Sequence, residues 1–103
     1  MGYKTTGVCV LATMRRRLLL RLEVKGKDAV KLRWGAPSGL TTGTYTIYYR
    51  RVTETAFHVV SGVQGNSYTV QGLHSYAKYE FKVKDSHHCS KLKKIRTASK
   101  FAN

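Results

Sequence analysis

Apolar and polar residues alternate with a period of two over several short segments of the chain. The clearest case is the run from Lys78 to Lys84, where tyrosine, phenylalanine and valine alternate with lysine and glutamate. Successive side chains of a β-strand lie on opposite faces of the sheet, so this alternation predicts a strand with one buried and one solvated face. Strand-like patterns occur in seven segments: 18–24, 30–34, 44–51, 57–60, 68–70, 79–83 and 92–97.

Turn signals separate these segments. Short turns are predicted at 26–28 and 62–66, and a loop is predicted at 35–43, which contains three glycines and the only proline of the chain. Seven short strands with turns at close intervals predict an all-β fold, a seven-stranded antiparallel β-sandwich. The alternation places Trp34, Tyr45, Ile47 and Tyr49 in its core, and Tyr48, Arg50 and the charged residues of 78–84 on solvated faces.

The corner before the sixth segment carries a recognisable spacing. Gly72 is followed by Leu73, and Tyr79 comes six residues after that leucine. Together with Trp34 in the second strand and Pro37 just after it, this arrangement resembles the fibronectin type III domain. The resemblance extends over about residues 18–98. It departs from the family in two places, with Ser75 where a proline is usual and with an unusually basic segment at 87–94.

The resemblance implies an immunoglobulin-like sandwich domain over residues 18–103, preceded by a basic N-terminal extension over residues 1–17. It also implies three structural roles. Trp34 fills the core, Leu73 packs under the corner, and the Tyr79 hydroxyl forms a hydrogen bond with an upstream backbone group, so that the ring is buried without stranding its polar atom.

The net charge narrows the class of partner. The 103 residues include 19 lysines and arginines and only 5 acids, which gives a formal charge of +14. Such a surface attracts polyanions, including acidic protein, nucleic acid, sulfated glycan and anionic lipid. No segment has the roughly 18 consecutive apolar residues that a membrane span needs. Three arginines interrupt the apolar runs near the N-terminus, an order that argues against a secretory signal.

The N-terminal extension itself allows two further interpretations. The opening Met-Gly with Thr6 fits an N-myristoylation pattern, although Tyr3 is a bulky neighbour for the acceptor glycine. The segment is also rich in arginine and has no acid before Glu23, as in organellar transit peptides. The sequence leaves both open.

Strand direction predicts that separate basic segments meet. If consecutive strands are antiparallel, the start of the first strand and the loop before the last strand lie at the same end of the sandwich. We call the predicted cluster at that end the basic pole and expect it to bind the partner; the alternative is a set of solvated charges that keep the domain soluble. Its members are Arg15, Arg16, Arg17, His87, His88, Lys91, Lys93 and Lys94.

The same geometry brings Cys9 and Cys89 to one end, where a disulfide between them is an option. We expect free thiols instead, because the absence of a signal peptide favours a reducing compartment. No metal site is expected at His87, His88 and Cys89, because adjacent residues of a strand point to opposite faces.

Nothing in the sequence supports catalysis. The five acids are scattered over turns and outward strand positions, and no nucleophile motif or phosphate-binding loop is present. We therefore expect a non-enzymatic protein without a cofactor.

Three function classes remain. The first is a small structural or adaptor subunit that docks through its basic surface onto an acidic partner in a larger intracellular assembly. The alternatives are an extracellular recognition module for sulfated glycan or a cell-surface protein, and a nucleic-acid-associated protein, which would need exposed aromatic residues among the cations.

Overall fold

The computed structural model describes residues 18–35, 43–85 and 89–99 of the chain, and the statements that follow concern these residues. They form seven strands: β1 Leu19–Val24, β2 Val30–Gly35, β3 Thr44–Arg51, β4 His58–Gln64, β5 Ser67–Val70, β6 Lys78–Lys84 and β7 Lys93–Arg96. Two antiparallel sheets result, one of three strands in the order β1-β2-β5 and one of four in the order β4-β3-β6-β7. The predicted seven-stranded sandwich is confirmed. The described part of the chain has no helix that could cross a membrane.

The core lies between the two sheets and follows the alternation of the strands. Trp34 is 3% exposed and Tyr45 is 1% exposed, with their ring centroids 5.3 Å apart. Across β3 and β6, Ile47 pairs with Val83, and both side chains are fully buried. Tyr49 is only half-buried. It lies in β3 between His58 of the edge strand β4 and Phe81 of β6, and packs against the margin of the core.

The corner between β5 and β6 is closed by a small hydrogen-bond network. Gly72 has a φ of +75°, a conformation that costs a residue with a Cβ about 1–2 kcal/mol. The backbone N–H of Leu73 donates to the Asp28 carbonyl at 2.9 Å, which fixes the buried leucine under the corner. The N–H of His74 donates to the hydroxyl oxygen of Tyr79 at 2.9 Å, which is the bond that the sequence resemblance implies.

The strand β4 is longer than predicted. Its pairing with β3 skips a residue, since Ile47 opposes Val60 and Tyr45 opposes Val63. This irregularity is a β-bulge, and Gly62 within it has a φ of +69°. The prediction that the strand ends at residue 60 is wrong, because the bulge absorbs Gly62 and allows pairing to continue to Gln64. The turn is therefore confined to the two residues between β4 and β5.

The ends of distant strands meet as strand direction predicts. The N–H of Leu18 donates to the carbonyl of Cys89 at 3.1 Å, and the N–H of Trp34 donates to the carbonyl of Asn66 at 3.0 Å. The start of β1, the end of β2 and the segment before β7 thus lie at one end of the sandwich. The corner between β5 and β6 lies at the other end, beside residues 26–28 and Ala98.

Candidate docking surface

The outer side of the four-stranded sheet is dense in cationic and aromatic side chains. Cross-strand pairing sets its rows, in which Tyr48 opposes Lys82, Arg50 opposes Glu80, and Lys78 opposes Arg96. These positions alternate with the buried residues of the same strands and so lie on the solvent side. We call this surface the basic face; its members are Tyr48, Arg50, Phe57, Lys78, Glu80, Lys82, Lys84, Lys94 and Arg96.

Glu80 is the one acidic residue on the basic face, and Arg50 neutralises it. Its side chain is only 5% exposed, and Oε2 accepts a hydrogen bond from Nε of Arg50. The prediction that Glu80 is solvent-exposed is wrong, because the guanidinium of the neighbouring strand covers the carboxylate. Arg50 also donates from Nη1 to the carbonyl of Thr55 at 3.1 Å, which anchors it to the loop before β4. The pair leaves no acidic charge available to an incoming ligand on this face.

Aromatic rings hold several of the cations in place. The guanidinium carbon of Arg50 lies 4.5 Å from the ring centroid of Phe57, and Nζ of Lys82 lies 5.2 Å from that of Tyr48. The two rings themselves meet edge to face at 6.4 Å. Such cation–π contacts are worth about 0.5–1 kcal/mol each at exposed sites and reduce the rotamer freedom of long side chains. The cations are therefore partly ordered before any ligand binds.

A similar pair lies at the corner end of the same sheet. Tyr76 is 64% exposed and has a φ of +47°, which is uncommon for a residue with a side chain. The guanidinium carbon of Arg96 lies 4.7 Å from the ring centroid of Tyr76, and its Nη1 donates to the Tyr76 carbonyl at 3.1 Å. This cation is thus also held by an aromatic ring and a backbone oxygen.

The cations of the basic face repel one another. Burial, and after it the charge of Lys84, lowers the pKa of Lys82. The side-chain ammonium groups of Lys78, Lys84 and Lys94 form no hydrogen bond or ion pair within the described residues. Six cations thus share a surface on which the single carboxylate is already bonded to Arg50. An anionic ligand would relieve this repulsion.

The structure divides the predicted basic pole. Arg15, Arg16, Arg17, His87 and His88 lie outside the described residues, and so do the rest of the N-terminal extension and Pro37. Lys91 is exposed at the end where Leu18 meets Cys89. Lys93 and Lys94 lie in β7, within the segment predicted as the last strand. Lys94 opposes Glu80 on the basic face, and Lys93, which is exposed, opposes Phe81.

The described cysteine differs from the expectation. Cys89 is 4% exposed and disulfide-bonded, so the expectation of free thiols is wrong for this residue. Cys9 lies outside the described residues. Among the described residues there is no cluster of three or more histidine, cysteine or acidic side chains that could hold a metal ion.

The sequence pattern does not reveal the basic face as a unit, although the alternation places most of its members at solvated positions. The signal that could have revealed it is the pairing of the third and sixth segments, which aligns Tyr48 with Lys82. Phe57 could not be added in this way, because it precedes β4 and reaches the face only through its contacts with Tyr48 and Arg50.

Residues 18–93 match the sequence family described as the fibronectin type III domain. Solved structures with the same fold include the fn3 domain of human contactin 1, with 16% identity, a TM-score of 0.68, and 96% of this chain and 94% of that chain covered. The FN5 domain of Drosophila Lar has 14% identity and a TM-score of 0.63, with 82% and 95% covered.

The FN1-FN3 domains of chicken CNTN1 have 17% identity and a TM-score of 0.66, and the match covers 78% of this chain and 29% of that chain. Identities this low establish the fold alone. No curated protein is similar enough in sequence to count as a relative of this chain.

Proposed function

Because the chain belongs to the fibronectin type III family, a fold used for protein interaction, we propose that it is a non-enzymatic module that docks through its basic face onto an acidic protein surface. In this role it is a small structural or adaptor subunit within a larger assembly. The proposed docking surface is the basic face, whose geometry lies within the described residues; the predicted basic pole lies largely outside them.

The proposal rests mainly on one observation: the carboxylate of Glu80 on the basic face is bonded to Arg50, while the side chains of Lys78, Lys84 and Lys94 form no ion pair among the described residues. A protein gains nothing in stability from such an arrangement, since neighbouring like charges on a sheet are destabilising. Carboxylates of a partner supply the missing charge. Electrostatic complementarity of this kind raises association rates and selects acidic partners over others.

The aromatic residues favour an acidic protein over single-stranded nucleic acid. Single-strand binding depends on free ring faces on which bases stack. Here Arg50 lies over Phe57 and Lys82 over Tyr48, so cations occupy the ring faces. The rings position the cations, and positioned guanidinium and ammonium groups suit carboxylates.

Charge removal on the basic face tests the proposal. The triple variant Lys78→Gln, Lys84→Gln, Lys94→Gln changes three side chains with no hydrogen bond or ion pair among the described residues. At about 0.5 kcal/mol per exposed ion pair, the three changes together weaken binding to poly-L-glutamate about tenfold. Binding is measured by fluorescence anisotropy at low ionic strength.

The matched control is the triple variant Lys27→Gln, Lys31→Gln, Lys91→Gln, which also removes three positive charges but from surfaces outside the basic face. We expect it to change the affinity less than threefold, the part due to net charge alone. Equal losses in both variants would show that the attraction is diffuse and would refute the docking surface. Single-stranded RNA is tested in parallel; tighter binding of RNA than of polyglutamate would favour the nucleic-acid alternative.

A second candidate function is that of an exported recognition module, and the disulfide at Cys89 is the observation that favours it. Structural disulfides persist in oxidising compartments. Thiol titration of protein isolated from its native source without reductant distinguishes an oxidising compartment from a reducing one. No reactive thiol is expected for the exported module, whereas titration of two thiols would remove this candidate.

A further inference from the structure

A cavity of about 320 Å³ lies at the corner end of the molecule, away from the rows of the basic face. Its walls come from the end of β3, the loop after it, the start of β4, and the corner between β5 and β6. The side chains that matter for its chemistry are Tyr49, Arg51, Glu54, His58, His74 and Tyr79. Ligand pockets have volumes of roughly 300–1,000 Å³, so this one suits a small group.

The single carboxylate of the cavity is already engaged. Oε1 of Glu54 accepts a hydrogen bond from the backbone N–H of Arg51 at 2.7 Å, and Oε2 lies 3.0 Å from Nε2 of His58. The Arg51 N–H, followed by the His58 contact, lowers the pKa of Glu54, and burial opposes this effect. Glu54 therefore stays ionised and internally bonded at neutral pH, and does not serve as the group that receives a ligand's proton donors.

Three donors of the cavity have no acceptor among the described residues. The guanidinium of Arg51 and the imidazole of His74 form no hydrogen bond or ion pair there, and the positive charge of Arg51 contributes to the lowered pKa of the neighbouring Glu54. The hydroxyl of Tyr79 accepts from the N–H of His74, which leaves its own proton without an acceptor. The site thus offers three donors, one of which is a cation.

The remaining wall is apolar. The ring of Tyr49 lies against that of His58, with centroids 5.0 Å apart and planes 31° from parallel, and Leu73 contributes to the floor. Because the other side of the Tyr49 ring stacks on Phe81 at 5.9 Å, this wall is supported by the core and is rigid.

We propose that the cavity binds a single carboxylate carried on a small apolar or aromatic group. Arg51 holds the carboxylate through its guanidinium, whose fork geometry matches two carboxylate oxygens. Tyr79 and His74 supply further hydrogen bonds, and Tyr49 contacts the apolar part. Two sources share this chemistry: a free aromatic carboxylic acid and the C-terminal residue of a peptide.

Binding of benzoate, followed by NMR of ¹⁵N-labelled protein, tests the inference. Saturable, one-to-one shifts are expected at the backbone amides of Leu73 and His74 and at the imidazole of His74. Benzamide, which keeps the ring and lacks the charge, produces no saturable shift.

Two peptides, N-acetyl-Gly-Phe and its C-terminal amide, distinguish the two sources of the carboxylate. Tighter binding of the free-carboxylate peptide than of benzoate identifies a peptide C-terminus. Tighter binding of benzoate identifies a free acid.

Arg51→Gln weakens benzoate binding about tenfold or more, since it removes the only guanidinium of the cavity and keeps the backbone N–H that bonds Glu54. Arg33→Gln on the outer side of β2 removes the same charge and leaves binding unchanged. His74→Ala removes the imidazole and weakens binding, while the backbone N–H at this position still donates to the Tyr79 hydroxyl oxygen. Equal losses for Arg51→Gln and Arg33→Gln, or equal binding of benzoate and benzamide, would overturn the inference. None of the three variants changes a residue of the basic face, so the proposed function is tested separately.

Discussion

The hydroxyl of Tyr79 shows how a single polar atom can decide whether a large ring is buried. Its ring lies in the core, 6.3 Å from that of Phe81, and its oxygen satisfies the N–H of His74 at the corner. A phenylalanine would fill the same volume and leave that N–H without an acceptor. Buried donors that lose their partner cost about 1–3 kcal/mol.

We therefore expect Tyr79→Phe to lower the free energy of unfolding by about 1–3 kcal/mol in urea denaturation. Tyr48→Phe is the matched control, because it removes a hydroxyl from the half-buried outer face and keeps the ring under Lys82. Its effect should stay within about 0.5 kcal/mol. Indistinguishable effects of the two variants would show that the corner hydrogen bond does not stabilise the domain.

The hydrogen bonds of Glu54 make the stability of the fold depend on pH. The bonds from the Arg51 N–H and His58 lower its pKa in the folded state below the ordinary value of 4.5. A lowered folded pKa means that the stabilisation is present above the unfolded pKa and is lost as the pH falls through the folded pKa. The thermal midpoints of wild type and Glu54→Gln should differ at neutral pH and converge in strong acid. A difference that persists unchanged in acid would contradict this assignment.

At the scale of elements, the bulge in β4 explains why the strand is longer than its pattern suggests. Gly62 has a φ of +69°, and Gly35 in β2 has no such constraint; an added Cβ would have open space at both positions. The two glycines therefore differ in backbone conformation and not in packing.

Gly62→Ala should lower the free energy of unfolding by about 1–2 kcal/mol, the cost of a left-handed conformation for a residue with a Cβ. Gly35→Ala serves as the control and should be close to neutral, because neither strain nor a steric contact opposes it. Chemical denaturation of both variants gives the comparison. An equal cost would show that the bulge relaxes around an alanine.

The alternation within each strand predicts some side-chain positions, and contacts between distant strands determine others. Alternation alone assigns Tyr48 and Lys82 to a solvated face and Trp34 to the core, since each assignment depends only on neighbours within one strand. The burial of Glu80 could not be predicted in this way, because it depends on Arg50, which is 30 positions away in sequence. Lys93 and Lys94 lie in the last strand, as the pattern of 92–97 predicts, but the pairing of Lys94 with Glu80, which places it on the basic face, could not be predicted from that segment alone.

At the scale of the whole molecule, the formal charge is +14. Among the described residues, cations lie on the outer sides of both sheets, and the basic face combines them with aromatic contacts and a neutralised carboxylate. On the outer side of the three-stranded sheet, Glu23 is bonded to Lys25 and is exposed. The net charge from composition thus motivates the proposed class of partner, and the pairing of strands motivates the proposed surface. Composition alone could not have selected that surface, because both sheets carry lysine or arginine on their outer sides.

The most direct test of the docking surface is NMR mapping of poly-L-glutamate on ¹⁵N-labelled protein. The largest amide shifts are expected in β3, β6 and β7, at the positions of Arg50, Lys82 and Lys94, and they should disappear as rising salt screens the charges. Shifts concentrated around Lys91, or spread evenly over both sheets, would contradict the assignment of the outer four-stranded sheet as the surface that meets an acidic partner.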